Sequence, residues 1–410
     1  MRIIISKYIL SLYSIILFSA IVLHSCKIQE PELPPHEYHT PDMPAFLGEP
    51  AAGHIKEMKV LVLAYLPTTD GIKLDKELTG IDMSIDDMKR KIEKMSVQVK
   101  LMLEEGSKYH GYKDPNATPY MGYEVVDYII VNDSLPLGPQ IEENQGMSIH
   151  YPDYSKIMTT WKGKDYVDRL GVDEVWLWSW HHGNISPAES NMSSPHKTKY
   201  APNGDVSNSY RMDDLPVYNN TYILYNYNYG RSANEAVHNH LHQYENMLWQ
   251  ISLLTTGSEA FIRENFSGWQ NWDEPDKRIA PLGAAGDCHH PVNTDQDYDY
   301  NNHTFVLSDI EDWNPARTGK RKLINCETWF SYFGDIWPVA YDMTVPVLRG
   351  DPWSEASTRA KTEAAWYIYW MQNIPGENNG IAWNDKKITN WMNFKASWDE
   401  TMTTDKKIFE

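Results

Sequence analysis

Basic residues are scarce in this chain: 37 Lys and Arg stand against 56 Asp and Glu, a formal net charge of −19. A body this acidic repels polyanions at long range, which argues against nucleic acid as a partner. Cysteine is scarce too, with Cys26, Cys288 and Cys326 the only three. None stands in a CxxC pair, which argues against a zinc ribbon or a thioredoxin-like motif. No glycine-rich phosphate loop follows a strand, and no Gly-x-Ser-x-Gly elbow is present, so nucleotide hydrolysis and serine-elbow chemistry have no foothold. Only one uncharged run approaches membrane-spanning length, from Tyr8 to Leu23, and the rest of the chain is expected to be water-soluble.

That run follows Arg2 and Lys7 and closes in Leu23-His24-Ser25-Cys26. It resembles an export signal ending in the lipobox read by the lipoprotein signal peptidase, with a branched apolar residue three before the cysteine and a small residue just before it. The resemblance implies a signal peptide over 1–25, lipidation of Cys26 and residence in the bacterial cell envelope, periplasmic or outer-surface. A plain transmembrane anchor is the alternative, although the run falls just short of the roughly 17–25 residues that a spanning helix needs. Residues 26–52 carry prolines at 31, 34, 35, 41, 44 and 50 and read as an extended tether. Residues 53–410 form the body, either one domain or two divided near residue 185.

Within the body, Lys59–Leu66 reads as a buried strand stopped by the polar turn Thr68–Gly71. Ser84 caps a helix whose apolar positions Ile85, Met88, Ile92, Met95, Val99 and Met102 keep the 3.6-residue period. Val125–Val131 and Asp173–Ser179 are further strands, the latter preceded by a short helix near Tyr166–Leu170. This alternation predicts an α/β fold, a mainly parallel sheet flanked by helices. A loop-rich, aromatic-rich helical C-terminal half follows. Ile185 to about Arg231 reads as loop, Ser232 opens a helix to about Leu254, and an aromatic helix spans Ser354–Asn373. In such sheets ligands sit beyond the carboxyl ends of strands, which nominates the loop from Trp180, His181 and His182 through Glu189.

The helix from Ser232 holds the densest chemistry. Glu235, His238, His242, Glu245 and Trp249 fall within about 80° on one face. Histidines at i and i+4 with a carboxylate three further on can give zinc three ligands, His238, His242 and Glu245, and leave a fourth place for water. The same stripe can equally be the wet side of an amphipathic helix, with Glu235 completing a Ser-x-x-Glu capping box. His240 points to the apolar side, where a satisfied core histidine is expected.

A second constellation, Gly286-Asp287-Cys288-His289-His290-Pro291-Val292-Asn293, is followed by Asp295, Asp297 and Asp299. Alternating oxygen ligands suit calcium, and Asx turns explain the pattern as well. Cys288 and Cys326 are an even pair in an oxidising compartment and are expected to form a disulfide, with two buried free thiols as the alternative.

The segments Asp173–Trp178, Glu235–Glu245 and Cys288–Asn302 resemble parts of a group of secreted microbial proteins, over roughly residues 57–340. That resemblance implies no mechanism, and no residue role is carried over from it. The residues themselves predict a metal-dependent hydrolase of extracellular glycan or, second, of peptide. In that reading His238, His242 and Glu245 hold zinc, Glu189 is the base with His181 and His182 nearby, and Trp180, Trp249, His290 and Asn293 seat substrate. The surplus of aromatics, 16 Trp and 26 Tyr, motivates the glycan, because a pyranose face stacks on a ring. The competing expectations are a non-catalytic glycan-binding lipoprotein and a metal-free glycosidase using two carboxylates.

Overall fold

Every residue of the apolar run from Val60 to Tyr65 is buried, the pattern of a strand covered on both faces. It forms β1, Lys56–Tyr65, in a computed structural model that describes residues 45–410 apart from 145–146, 210, 212, 259, 263–265, 267–284, 295 and 335–357. These belong to the larger of the two units into which the chain divides, His36–Glu410. The expected signal, Cys26 and most of the expected tether lie outside the described residues. The end of that tether is not extended, since Ala45–Gly48 is a helical turn with Leu47 fully buried.

In α1, Ile85–Gly106, the Ser84 side chain accepts from the Asp87 N–H and the predicted apolar stripe is buried. β2, Met121–Val131, pairs parallel to β1. A two-stranded hairpin, β3 (Leu137–Asn144) and β4 (Met147–Pro152), leads through α2, Gly163–Leu170, to β5, Val172–Ser179, which also runs parallel to β1. β6, Ser190–Ser193, and β7, Tyr222–Asn228, complete a five-stranded sheet of order β2-β1-β5-β7-β6. β7 is parallel to β5, and only the edge strand β6 is antiparallel. The fold is thus α/β, a mostly parallel sheet with flanking helices.

β7 falls inside the stretch expected to be loop. Its sequence, Tyr-Ile-Leu-Tyr-Asn-Tyr-Asn, is rich in strand-forming aromatics. The amide of Asn226 is accommodated because it donates to Ser179 Oγ at 2.7 Å on β5. Five residues past β7 the chain enters α3, Ala233–Thr256, and later α4, Cys326–Phe333, α5, Thr358–Met371, and α6, Met392–Ala396. α3 begins at the carboxyl end of β7, and the loop carrying Glu189 leaves the carboxyl end of β5, so both reach the side of the sheet where α/β folds place ligands.

Candidate metal centre

α3 is not an amphipathic helix with one wet side. His238, His240 and Glu245 are 5, 0 and 4 % exposed, and the helix is covered by the sheet on one side and by a loop on another. The expected capping box does not form, since the Ser232 side chain makes no cap bond and Glu235 pairs instead with Arg231 at 2.8 Å.

The covering loop starts at Gly286, whose φ of +76° and whose approach to the His290 carbonyl, 2.5 Å from where a Cβ would stand, leave room only for glycine. The Asp287 carboxylate then accepts from the backbone N–H of both His289 and His290 at 2.9 Å. Indole N–H groups on α5 pin the loop from behind, Trp370 donating to Gly286 O at 2.9 Å and Trp366 to Asp287 O at 3.0 Å. Tyr300 donates to Cys288 O at 2.8 Å. Much of the aromatic surplus therefore serves the interior. Trp180 is 2 % exposed and offers no face to a ligand, Trp249 is half-buried, and no tryptophan among the described residues is exposed.

Held this way, the His289 ring meets the histidines of α3. Its Nε2 lies 2.9 Å from Nε2 of His238 and 3.1 Å from Nε2 of His242. The Nδ1 of His242 stands 3.0 Å from Glu245 Oε2, an acceptor-only group, so a neutral His242 carries its proton there and presents a bare Nε2. Its neighbour His289 has one Nε2 and can donate to only one of the other two rings. Among three neutral rings, one nitrogen–nitrogen contact is therefore always left without a hydrogen bond. A cation between the three nitrogens removes that conflict, and separations near 3 Å are what nitrogens about 2.0–2.1 Å from one ion subtend at roughly 90–100°.

The electrostatics of His238 and His289 agree. Burial, then the nearness of His242 and His289, pushes His238 well below the usual histidine range. Burial followed by the charge of His242 brings His289 down to about 3. Both rings are lone-pair donors at neutral pH. Burial disfavours charge on His242 as well, but the hydrogen bond and charge of Glu245 outweigh it and raise the value.

Glu245, expected as a ligand, sits behind His242 rather than beside its Nε2. Its second oxygen accepts from the Cys288 N–H at 3.0 Å, so it ties the loop to the helix and aims the ring, the role carboxylates take behind metal-bound histidines. His289, which helical spacing could not nominate, brings a third imidazole to the two of α3. The Cys288 sulfur is 3.3 and 3.6 Å from the two nitrogens of His242. Such similar distances place it beside or over the ring and off the Nε2 lone pair. The cluster of buried His238, Cys288 and His289 with half-buried His242 could hold a metal ion, and so could the buried group of Glu245, Asp287 and Cys288.

The expected disulfide is corrected: Cys288 and Cys326 are both free and buried. Cys288 is occupied with His242 and Glu245, its thiol pushed well up by burial and the adjacent carboxylates, while Cys326 opens α4.

Glu189 reaches the cluster from the sheet side, 3.7 Å from His242 Nε2 with its side chain 41 % exposed. Its carboxylate accepts from the Asn208 amide. His181 and His182 are not part of the cluster. Burial, then the charge of Arg231, lowers His181 to about 3, and the His182 ring packs against Gly80. His290 and Asn293 are also spent on structure. His290 is clamped between Asp287, 2.9 Å from Nδ1, and Asp297, 2.7 Å from Nε2. Asn293 donates to the carbonyls of Asn302 and Thr304. Asp299 accepts from Asn302 at 2.7 Å, so Asp297 and Asp299 make loop contacts, and Asp295 lies outside the described residues. Tyr298, not singled out in the sequence, stands at the mouth. Its φ is 61°, its ring is 4.3 Å from that of His289, and it is 39 % exposed.

Comparison with known proteins finds no matching family model, no matching curated protein and no matching solved structure.

Proposed function

We propose that the body is a metal-dependent hydrolase whose ion, zinc, is held by His238, His242 and His289. The observation that carries this reading is the meeting of three imidazole Nε2 atoms, two from consecutive turns of α3 and one from the loop pinned against it. Three neutral nitrogen ligands with a position left open suit catalytic zinc, which supplies Lewis acidity and a water nucleophile near neutral pH. Glu189, close to His242 and open to solvent, takes the proton from that water. Glu245 keeps His242 in the tautomer that exposes Nε2. Tyr298 offers the approaching substrate an aromatic face beside the ion.

The substrate is an extracellular glycan or, second, a peptide. The tryptophans among the described residues are buried or half-buried, and the half-exposed ring of Tyr298 beside His289 is the aromatic that supports a sugar. We further propose that the chain is exported and anchored at Cys26 in the bacterial envelope. Among the described residues no helix is long and apolar enough to cross a membrane.

Elemental analysis of purified protein, with His238→Ala, His242→Ala and His289→Ala beside it, tests the centre. About one zinc per wild-type chain and none in each variant supports it; a wild type that neither carries zinc nor takes it up on titration removes it. Hydrolysis of polysaccharide and peptide panels by wild type and Glu189→Gln then tests the chemistry, since activity unchanged in Glu189→Gln refutes its role as base.

A further inference from the structure

A second group of polar side chains lies at the outer edge of the sheet, along β6. Asn191, on β6, is 1 % exposed and donates its amide to Asp214 Oδ1 at 2.7 Å. The Asp205 carboxylate accepts from the backbone N–H of Met192, the next residue of β6, and from Ser207. Asp205 and Asp214 are 8 and 6 % exposed, and Asp205 ionises against the charge of Asp214. Three oxygens of this group, Asn191 Oδ1, Asp205 Oδ1 and Asp214 Oδ2, are buried and have no hydrogen-bond partner among the described residues.

A buried carboxylate oxygen without a donor is costly, and two such groups side by side are costlier. The cationic side chain near Asp214 is Arg211, one positive charge against two carboxylates. Protonating the carboxyls satisfies little, because an orphaned O–H needs an acceptor as much as an orphaned oxygen needs a donor. Burial, reinforced by the neighbouring charge of Asp214, lifts Asp205 to about 7, so in the absence of a positive partner one of them is held back from ionising near neutrality.

We infer that Asn191, Asp205 and Asp214 form a binding site for a hard divalent cation of the calcium class, separate from the histidine centre. The donor set is oxygen only, with neither imidazole nor thiolate, and two carboxylates and an amide oxygen leave the remaining positions to backbone carbonyls and water, as calcium accepts. Glycine at 204 fits the same design: a Cβ there would stand 2.2 Å from Ser194 O, so only glycine lets the chain bring Asp205 against the strand edge. The site also has a reason to exist. Three residues after Asp205, the Asn208 backbone N–H donates to Ser190 Oγ at 3.1 Å and its amide to Glu189. On α3, Gln243 donates to Val206 O at 2.5 Å. A cation that fixes Asp205 and Asp214 on β6 therefore fixes the segment that holds Glu189 in front of His242. Binding at this site is independent of the proposed hydrolase, whereas its effect on activity rests on that reading.

The test uses full-length body treated with EGTA and titrated with calcium chloride, followed by calorimetry and thermal unfolding. Calcium is expected to bind near one equivalent and to raise Tm by about 4 °C or more at saturation. Asp205→Asn and Asp214→Asn, each nearly isosteric, are expected to weaken binding more than tenfold and to abolish most of the Tm shift. Circular dichroism in the absence of calcium checks that they fold, and Asn191→Ala provides a third probe should either carboxylate variant fail to do so. His242→Ala is expected to respond to calcium as the wild type does, which keeps failure of this site distinct from failure of the zinc centre. No uptake by the wild type at millimolar calcium, uptake unaltered in all three variants, or a response to magnesium without one to calcium overturns the assignment.

Discussion

Helix α3 buries histidines in two opposite environments, and the contrast explains what each is for. On the sheet side, the Nε2 of His240 meets the Tyr227 hydroxyl at 2.5 Å, its ring stacks on Tyr225 with centroids 3.8 Å apart, and its Nδ1 is 3.8 Å from Glu174, which is ion-paired with Lys395 of α6. Nε2 has a hydroxyl partner, and although Nδ1 has no hydrogen bond, the charges of Glu174 and Lys395 cancel beside it. On the loop side, His238 and His242 turn bare nitrogens toward a third nitrogen. Burial alone does not mark a functional histidine, since His240 is the more buried of the two kinds. The mark is a set of imidazole nitrogens aimed at one another, a cluster that could hold a metal ion.

The largest expected effect breaks the sheet-side cluster. Removing one member of a buried ion pair leaves the other charge unpaired, so Lys395→Met is expected to cost about 3–5 kcal/mol in denaturant unfolding. Adding Glu174→Gln to it should recover most of that loss. Next, His240→Ala should lower stability by roughly 2–3 kcal/mol through the lost hydrogen bond and packing, equally with and without chelator, and leave bound metal untouched. His289→Ala should do the reverse, abolishing metal and costing stability only relative to the metal-loaded wild type. Should the two variants behave alike in chelator, the contrast between the two sides of α3 is wrong.

A smaller effect sharpens the role of Glu245. Glu245→Gln keeps the shape but weakens the hold on His242, and a loss of about 10–100-fold in metal affinity is expected; unchanged affinity in a competition titration would show that the carboxylate does not aim the ring.

A pH-dependent effect concerns Glu363 on α5. Burial, then the charge of Glu235, raises its carboxyl from 4.5 to about 8. The folded state therefore holds this proton more tightly than the unfolded one, so the stabilisation is fully present below pH 4.5 and lost as pH rises toward 8. Stability of the wild type should fall across that interval by a slope approaching one proton relative to Glu363→Gln, measured by denaturant midpoints; parallel profiles would contradict it.

A continuous apolar run made β1 legible, and the 3.6-residue spacing of apolar residues did the same for α1. β7 escaped because asparagine and tyrosine read as loop, although Asn226 finds its partner across the strand. The metal-capable cluster was legible in the part that is local: His238 and His242 are one turn apart on a single helix. Its third nitrogen comes from a loop 47 residues beyond His242, and local spacing offered Glu245 in its place. The pairing of Cys288 with Cys326 failed for the same kind of reason, since an even count of cysteines says nothing about which groups the fold sets beside each sulfur.

The most direct measurement is anomalous diffraction at the zinc edge from crystals of protein purified without chelator. The account predicts one peak within about 2.0–2.3 Å of Nε2 of His238, His242 and His289, with Glu245 on the far side of the His242 ring. A peak ligated by Glu245 in place of His289, or ordered histidines with no anomalous peak after zinc soaking, would contradict it.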